Sequence, residues 1–383
     1  MALGSRLAFV VTEDWFLVSH FLPMVRAARE LGFEVSVVTR VREHRAAIEA
    51  EGARVVPLEA DRKSLNPMAA GDAAGRLAAT LKSIRPDIVH CIALRSILVG
   101  GSAALMAGID RRVYALTGLG YLGARPDLVG KAARTAIRAV IRGALESRGT
   151  RYLLENEDDG RLLGLGPAHV GRVTIVGGAG IDPGRWHPTP LPAPAPLRVA
   201  IVARMLWSKG IDVAVAALRL ARAGGSDVTL SLYGAPDSAN PRAITDAQLR
   251  AWSTEPGIAW HGPTSDAAGI WRDHHVCCLP SRGGEGLPRT LLEGAASGRA
   301  IVTSDVPGCR RLVRDEVEGR LVPPDDAAAL ARVFADLAAD PDIVARMGAA
   351  ARARVLDGFT ERHVMEAVKG LYRSMLDSGP SRR

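Results

Sequence analysis

Three observations predict an α/β protein of two doubly wound domains: apolar runs alternating with helical patterns from residue 6 onward, a proline-rich break at 182–198, and a second alternation beyond it. At 383 residues the chain exceeds the ~100–200 residues usual for one domain. Two cores are therefore expected.

In the first half, Arg6–Thr12 reads as a strand, His20–Leu31 as a helix stopped by Gly32, and Glu34–Thr39 as the next strand. The rhythm continues with a strand at Arg54–Leu58, a helix around Gly71–Ile84, and strands at Asp87–Cys91 and Arg112–Thr117. Alternation of this kind implies a parallel sheet with helices on both faces. Pro183, Pro188, Pro190, Pro192, Pro194 and Pro196 then favour an extended linker. After it come a strand at Leu197–Ala203, a helix at Asp212–Ala223, and strands at Asp227–Tyr233, Ile258–His261, Val276–Leu279 and Ala300–Thr303. A last helix, Glu361–Leu376, carries Val364, Val368, Leu371 and Met375 at helical spacing. The expected boundaries are a first domain at 1–185, a linker at 186–197, a second domain at 198–358 and a C-terminal helix within 359–383.

Composition narrows the class. The chain is 48% hydrophobic with 40 glycines, which excludes a disordered chain. Cys91, Cys277, Cys278 and Cys309 are too few for a disulfide framework and lack metal-ligand spacing. Nothing at the N-terminus reads as a secretion signal, and the apolar stretch Ile97–Ile109 falls short of the ~18–20 residues a membrane span needs. A soluble protein in a reducing, cytoplasmic compartment is expected. The net charge of +8 suits a polyanionic partner without naming it.

Two segments carry chemistry. The first strand of the second domain ends in the loop Arg204–Gly210, which places Arg204 and Lys209 beside a helix N-terminus, where cations and free N–H groups suit a phosphate. Taken alone, these are two surface cations beside a turn. Further on, Val276–Leu279 runs into a glycine-rich loop holding Glu285, Gly286 and Leu287, and Pro288 is placed to open a helix carrying Glu293. Carboxylates there suit the paired hydroxyls of a sugar and a ribose.

Together, the Arg-x4-Lys-Gly loop and the Glu-Gly-x-Pro-x4-Glu segment resemble the donor site of retaining glycosyltransferases of family four, which have the GT-B fold: two Rossmann-like domains facing a cleft. EDWFLVSHFLPMVRAARELGFEVSVVTR at the start, PDIVH at 86–90, ENEDD at 155–159, SDVPGCRRLV at 304–313 and EGRLVPPDD at 318–326 extend the resemblance over nearly the whole chain. Within the family it is nearest to bacterial enzymes that build polysaccharide or lipid-linked oligosaccharides.

The resemblance implies a nucleotide-sugar donor, UDP-linked, and transfer of a hexose or N-acetylhexosamine to a glycan or lipid-diphosphate acceptor. Arg204 and Lys209 would hold the donor diphosphate, with Gly210 beside them; Glu285, with Gly286 and Leu287, would hold the sugar, and Glu293 the ribose. It implies catalysis by Arg204, Lys209 and Glu285 without metal or cofactor, since cations, N–H groups and a helix dipole neutralise the leaving group. It also implies that the last helix packs back on the first domain. A sugar-nucleotide epimerase of the same architecture, or a non-catalytic nucleotide-binding relic, is the alternative.

Many relatives carry a histidine where this chain has Thr117-Gly118, and the loop Ser281–Gly284 is one residue longer than the common spacing. His20 and His90, with Thr117 and Gly118, are candidates for the acceptor side of the cleft; a lone histidine is more often a structural or surface residue. Gly118-Leu-Gly120-Tyr-Leu-Gly123 matches GxGxxG, but it follows a late strand and Pro126 interrupts the helix start, so it reads as an acceptor-side loop. His274-His275 beside Cys277-Cys278 alternate across a strand and cannot readily share one metal; the cysteines read as buried residues.

Lys131, Arg134, Arg138 and Arg142 recur at helical spacing within 131–142. They read either as a surface for anionic membrane or a lipid diphosphate, at the inner face of the plasma membrane, or as the exposed side of a packed helix. Nucleic acid is not expected, because no aromatics interleave with the cations.

Overall fold

A computed structural model describes residues 4–58, 67–118, 127–237, 240–284 and 286–377. The chain divides into two compact units, Met1–Gly180 with Glu361–Arg383, and Ile181–Thr360.

The first unit is built on seven parallel strands: β1 (Arg6–Glu13), β2 (Glu34–Arg40), β3 (Arg54–Pro57), β4 (Ile88–Ile92), β5 (Arg112–Leu116), β6 (Thr150–Leu154) and β7 (Val173–Ile175). Their order is β3-β2-β1-β4-β5-β6-β7, which reverses direction between β1 and β4. The second unit has six: β8 (Leu197–Val202), β9 (Val228–Tyr233), β10 (Ile258–Gly262), β11 (Val276–Leu279), β12 (Ala300–Ser304) and β13 (Gly319–Val322). Their order is β10-β9-β8-β11-β12-β13, with the reversal between β8 and β11. Each sheet is apolar on both faces, which explains the near-continuous Val, Ile and Leu runs.

The expected helix at 20–31 is Leu22–Glu30, and a separate helix, Asp14–His20, precedes it with a break at Phe21. Pro23 falls in the first turn of Leu22–Glu30, where its missing N–H is harmless, whereas a continuous helix would have needed that donor. Strands β6, β7 and β13 give no clear period in the sequence, because each has only three to five residues and Arg151 and Arg320 interrupt β6 and β13.

The C-terminal helix Glu361–Asp377 belongs to the first unit. Val364, Val368, Leu371 and Met375 are all buried in the core beneath β1 and β2, each contributing about 1.5–3 kcal/mol by burial. Arg26 on helix Leu22–Glu30 reaches both Glu51 and Glu361, at 2.7 and 2.8 Å.

The unit boundary falls at Gly180/Ile181, ahead of the expected 185/186. The proline-rich segment is strapped onto the second unit. Buried Arg299 donates to the carbonyl and hydroxyl of Thr189, and Arg352 to the Trp186 carbonyl at 2.8 Å. Composition revealed the extended backbone but not these anchors.

Candidate functional site

Ligand sites in open α/β sheets form where strand order reverses, beyond the carboxyl ends of the strands. In the second unit that place lies between the loops after β8 and β11, the two segments singled out in the sequence. They meet backbone to backbone. Gly210 has φ +69°, and a Cβ there would stand 1.9 Å from the Pro280 carbonyl oxygen. Only glycine permits this approach.

The β8 loop turns through the 3-10 segment Trp207–Lys209 into helix Ile211–Ala223, with Gly210 as its N-cap. No side chain caps this helix, so its first N–H groups are available to an anion. Arg204 is half-exposed and pairs with Asp237 at 2.9 Å. Lys209 is partly buried on the same loop.

The β11 loop is drawn against the β8 loop by Arg282. Its backbone N–H donates to the Ser208 carbonyl at 2.9 Å, and its side chain grips both oxygens of Asp212 at 2.9 and 2.7 Å. It also donates to the Trp207 carbonyl and to Asp325. The hydrogen bonds it donates to Asp212 lead the causes that raise the pKa of this guanidinium above its ordinary value. Gly283 and Gly284 follow with φ of +110° and +74°, a left-handed pair that the glycine run anticipates.

Helix Arg289–Ala296 begins one residue later than expected, with Pro288 as its N-cap instead of its first residue. Gly286 and Leu287 are buried. Glu293 is largely enclosed and pairs with Arg289 at 2.9 Å. Burial raises its pKa above the usual carboxylate value, while the charges of Arg289 and Arg185 oppose the rise. Glu285 lies outside the described residues, as does 119–126, which holds most of the GxGxxG match.

The first-unit candidates are not brought together in the same way. Of the two readings of His90, cleft residue or structural residue, the structure takes the structural one: it is wholly enclosed in β4, its Nδ1 2.7 Å from the Tyr372 hydroxyl. Burial pushes its pKa down to about 3. Its ring serves the attachment of the C-terminal helix. His20 ends helix Asp14–His20, with Nδ1 2.6 Å from the Ser19 hydroxyl and its ring against Phe16 and Phe21. Thr117 and Gly118 follow β5, with Gly118 at φ +91°.

Sequence reasoning passed over Asp14 and Arg282. Asp14 begins the helix after β1, fully buried, and accepts the N–H groups of Trp15, Arg42 and His44. Arg282 stood in the glycine loop as an unremarked cation, and Asp212 as an acidic residue at a helix start, where such residues are common.

All four cysteines are buried, Cys277 and Cys278 as read from their strand context. Among the described residues, no group of three or more His, Cys, Asp or Glu side chains is arranged to hold a metal, and no helix is long and apolar enough to cross a membrane. Helix Leu128–Ala139 exposes Leu128 and Val129 as well as Lys131 and Arg138, while Ile141 and Leu145 beyond it enter the core.

Residues 6–149 match the family model of 4-like glycosyl transferases, and residues 196–340 that of glycosyl transferases group 1. The N,N'-diacetylbacillosaminyl-diphospho-undecaprenol alpha-1,3-N-acetylgalactosaminyltransferase of Campylobacter jejuni is 24% identical over 316 residues, 79% of this chain and 81% of that protein. The amylovoran biosynthesis glycosyltransferase AmsK of Erwinia amylovora is 31% identical over 173 residues, 43% of this chain and only 42% of that protein. Among solved structures, HepE of Anabaena, in complex with UDP and glucose, superposes with a TM-score of 0.74 at 14% identity, covering 98% of this chain and all of that one. Sucrose-phosphate synthase of Thermosynechococcus elongatus gives 0.76 at 17% identity, covering 98% of this chain and 100% of that one. These likenesses establish the fold as GT-B.

Proposed function

From the premise that the chain belongs to the glycosyl transferases of group 1 and the 4-like kind, we propose that it moves a hexose or N-acetylhexosamine from a UDP-sugar to a hydroxyl of a lipid-linked or polysaccharide acceptor. The observation carrying this is the junction at the β8/β11 reversal, where a cation-bearing loop and an uncapped helix N-terminus meet a glycine loop followed by enclosed Glu293.

In this reading Arg204, Lys209 and the first N–H groups of helix Ile211–Ala223 take the diphosphate, Glu285 the sugar and Glu293 the ribose hydroxyls. The acceptor oxygen attacks the anomeric carbon from the face the leaving group departs, so configuration is retained. The carbon–oxygen bond to phosphate breaks, its electron pair stays on the nucleoside diphosphate, and the acceptor proton passes to a phosphate oxygen. Fixed cations and N–H donors offset the charge developing there, without a metal or cofactor.

The undecaprenyl-diphosphate substrate named for the Campylobacter relative supports a lipid-diphosphate acceptor. Exposed Leu128 and Val129 beside Lys131 and Arg138 support peripheral contact with an anionic membrane, at the cytoplasmic face where nucleotide sugars are made. Co-sedimentation with anionic but not neutral vesicles tests that contact.

Transfer is tested by incubating the protein with a panel of nucleotide sugars, with and without lipid-diphosphate acceptors. Lys209→Ala and Glu293→Ala are expected to lose transfer with the fold intact. Full activity in both variants overturns the site.

A further inference from the structure

One guanidinium ties three strand-end loops of the second unit. Arg282, at the end of β11, holds Trp207 and Asp212 beyond β8 and Asp325 beyond β13. Trp207 and Ser208 immediately precede Lys209 and Gly210, and Asp212 lies in the first turn of helix Ile211–Ala223.

A carboxylate in that turn complements the helix dipole when the helix stands alone. Beside a bound diphosphate it becomes a like charge a few ångströms from the ligand. Bidentate pairing with Arg282, which Asp325 shares, offsets part of that charge and at the same time fixes the turn that aims the N–H groups. The planar fork of arginine meets both oxygens at once, which a lysine ammonium cannot reproduce. Arg204 has a separate carboxylate partner, Asp237, so the two loop arginines do different work.

We propose that Arg282 is the positioning residue of the donor site: it holds the Arg204–Gly210 loop in register with the glycine loop and shields the donor diphosphate from Asp212. This rests on the donor-site reading above, and the experiment keeps the two apart.

Uridine diphosphate and guanosine diphosphate are titrated calorimetrically into the full-length chain and its variants, and the one the wild type binds is followed. Donor KM, acceptor KM and kcat are measured alongside. Arg282→Gln is expected to weaken nucleotide binding about tenfold or more and to raise donor KM while leaving acceptor KM unchanged. Arg282→Lys should fall between it and the wild type. The double variant Arg282→Gln/Asp212→Asn should recover part of the lost affinity, because the unshielded carboxylate is gone; a purely structural clamp predicts no recovery.

Wild-type affinity in Arg282→Gln, together with lost binding in Lys209→Ala, overturns the proposal and leaves the donor site standing. Unchanged binding in both overturns the donor-site reading itself. Equal losses in the single and double variants overturn the shielding. Should Arg282→Gln fail to fold, Arg282→Lys decides: wild-type affinity there overturns the bidentate role.

Discussion

His90 Nδ1 lies 2.7 Å from the hydroxyl of Tyr372, joining the centre of β4 to the C-terminal helix across 282 residues of sequence. Both side chains are fully enclosed, so the hydrogen bond is sheltered from water. The imidazole stays neutral in the folded protein, with its pKa pushed down to about 3 by burial.

Acid should therefore loosen the first unit. Below pH 6.5 the unfolded chain protonates this histidine while the folded one does not, so stability is complete above 6.5 and falls as pH drops toward 3, by up to about 1.4 kcal/mol per pH unit. His90→Gln should flatten this part of the slope in denaturant titrations between pH 7 and 5. Tyr372→Phe should cost about 1–3 kcal/mol at neutral pH by leaving Nδ1 without its partner.

Gly210→Ala should damage the second unit more than a surface Gly→Ala change. The new methyl would stand 1.9 Å from the Pro280 oxygen at a φ of +69°. Backbone strain alone costs about 1–3 kcal/mol, and separating the two loops adds to it. Thermal melts should show the lower midpoint, and nucleotide titration the lost binding.

Glu293→Gln should separate stability from activity. The folded carboxyl has a raised pKa because it is buried, so stability declines as pH rises from 4.5 through the folded value. Removing the charge should raise the melting temperature of the second unit at pH 7, with the gain vanishing in acid, while donor KM increases. In the wild type, donor KM should climb as acid protonates Glu293; the Gln variant should lack that limb.

Asp14→Ala should destabilise the tip of β1 by about 2–4 kcal/mol, because the Trp15, Arg42 and His44 N–H groups lose a buried charged acceptor. Burial raises the pKa of Asp14, but these three N–H groups hold it below the usual value. The stability it supplies is present above pH 3.8 and lost as pH falls through the folded value. Hydrogen exchange at residues 41–44 reports the loosening.

Much of this architecture was legible because strand and helix periods are local. The β8 and β11 runs, with the glycines and cations that follow them, announce a ligand site wherever strand order reverses. That the reversal lies between those two strands is a matter of long-range pairing. Arg282 and His90 show the limit from opposite sides. An arginine in a polar loop gives no sign that its partners lie 70 and 43 residues away. A histidine in a strand reads alike whether it ends at solvent or beneath a helix. The strap was half legible: prolines predict extended backbone, but its attachment depends on Arg299, more than a hundred residues on.

The return of helix Glu361–Asp377 to the first unit has a temporal consequence. When Gly180 leaves the ribosome, the sheet face that will meet Val364, Val368 and Leu371 has no cover. Residues 181–360 must be made before it does, roughly 10–40 s at ordinary rates of synthesis. The later-made unit is complete first, and throughout that interval the nascent chain presents an apolar surface of the kind that holdase chaperones bind.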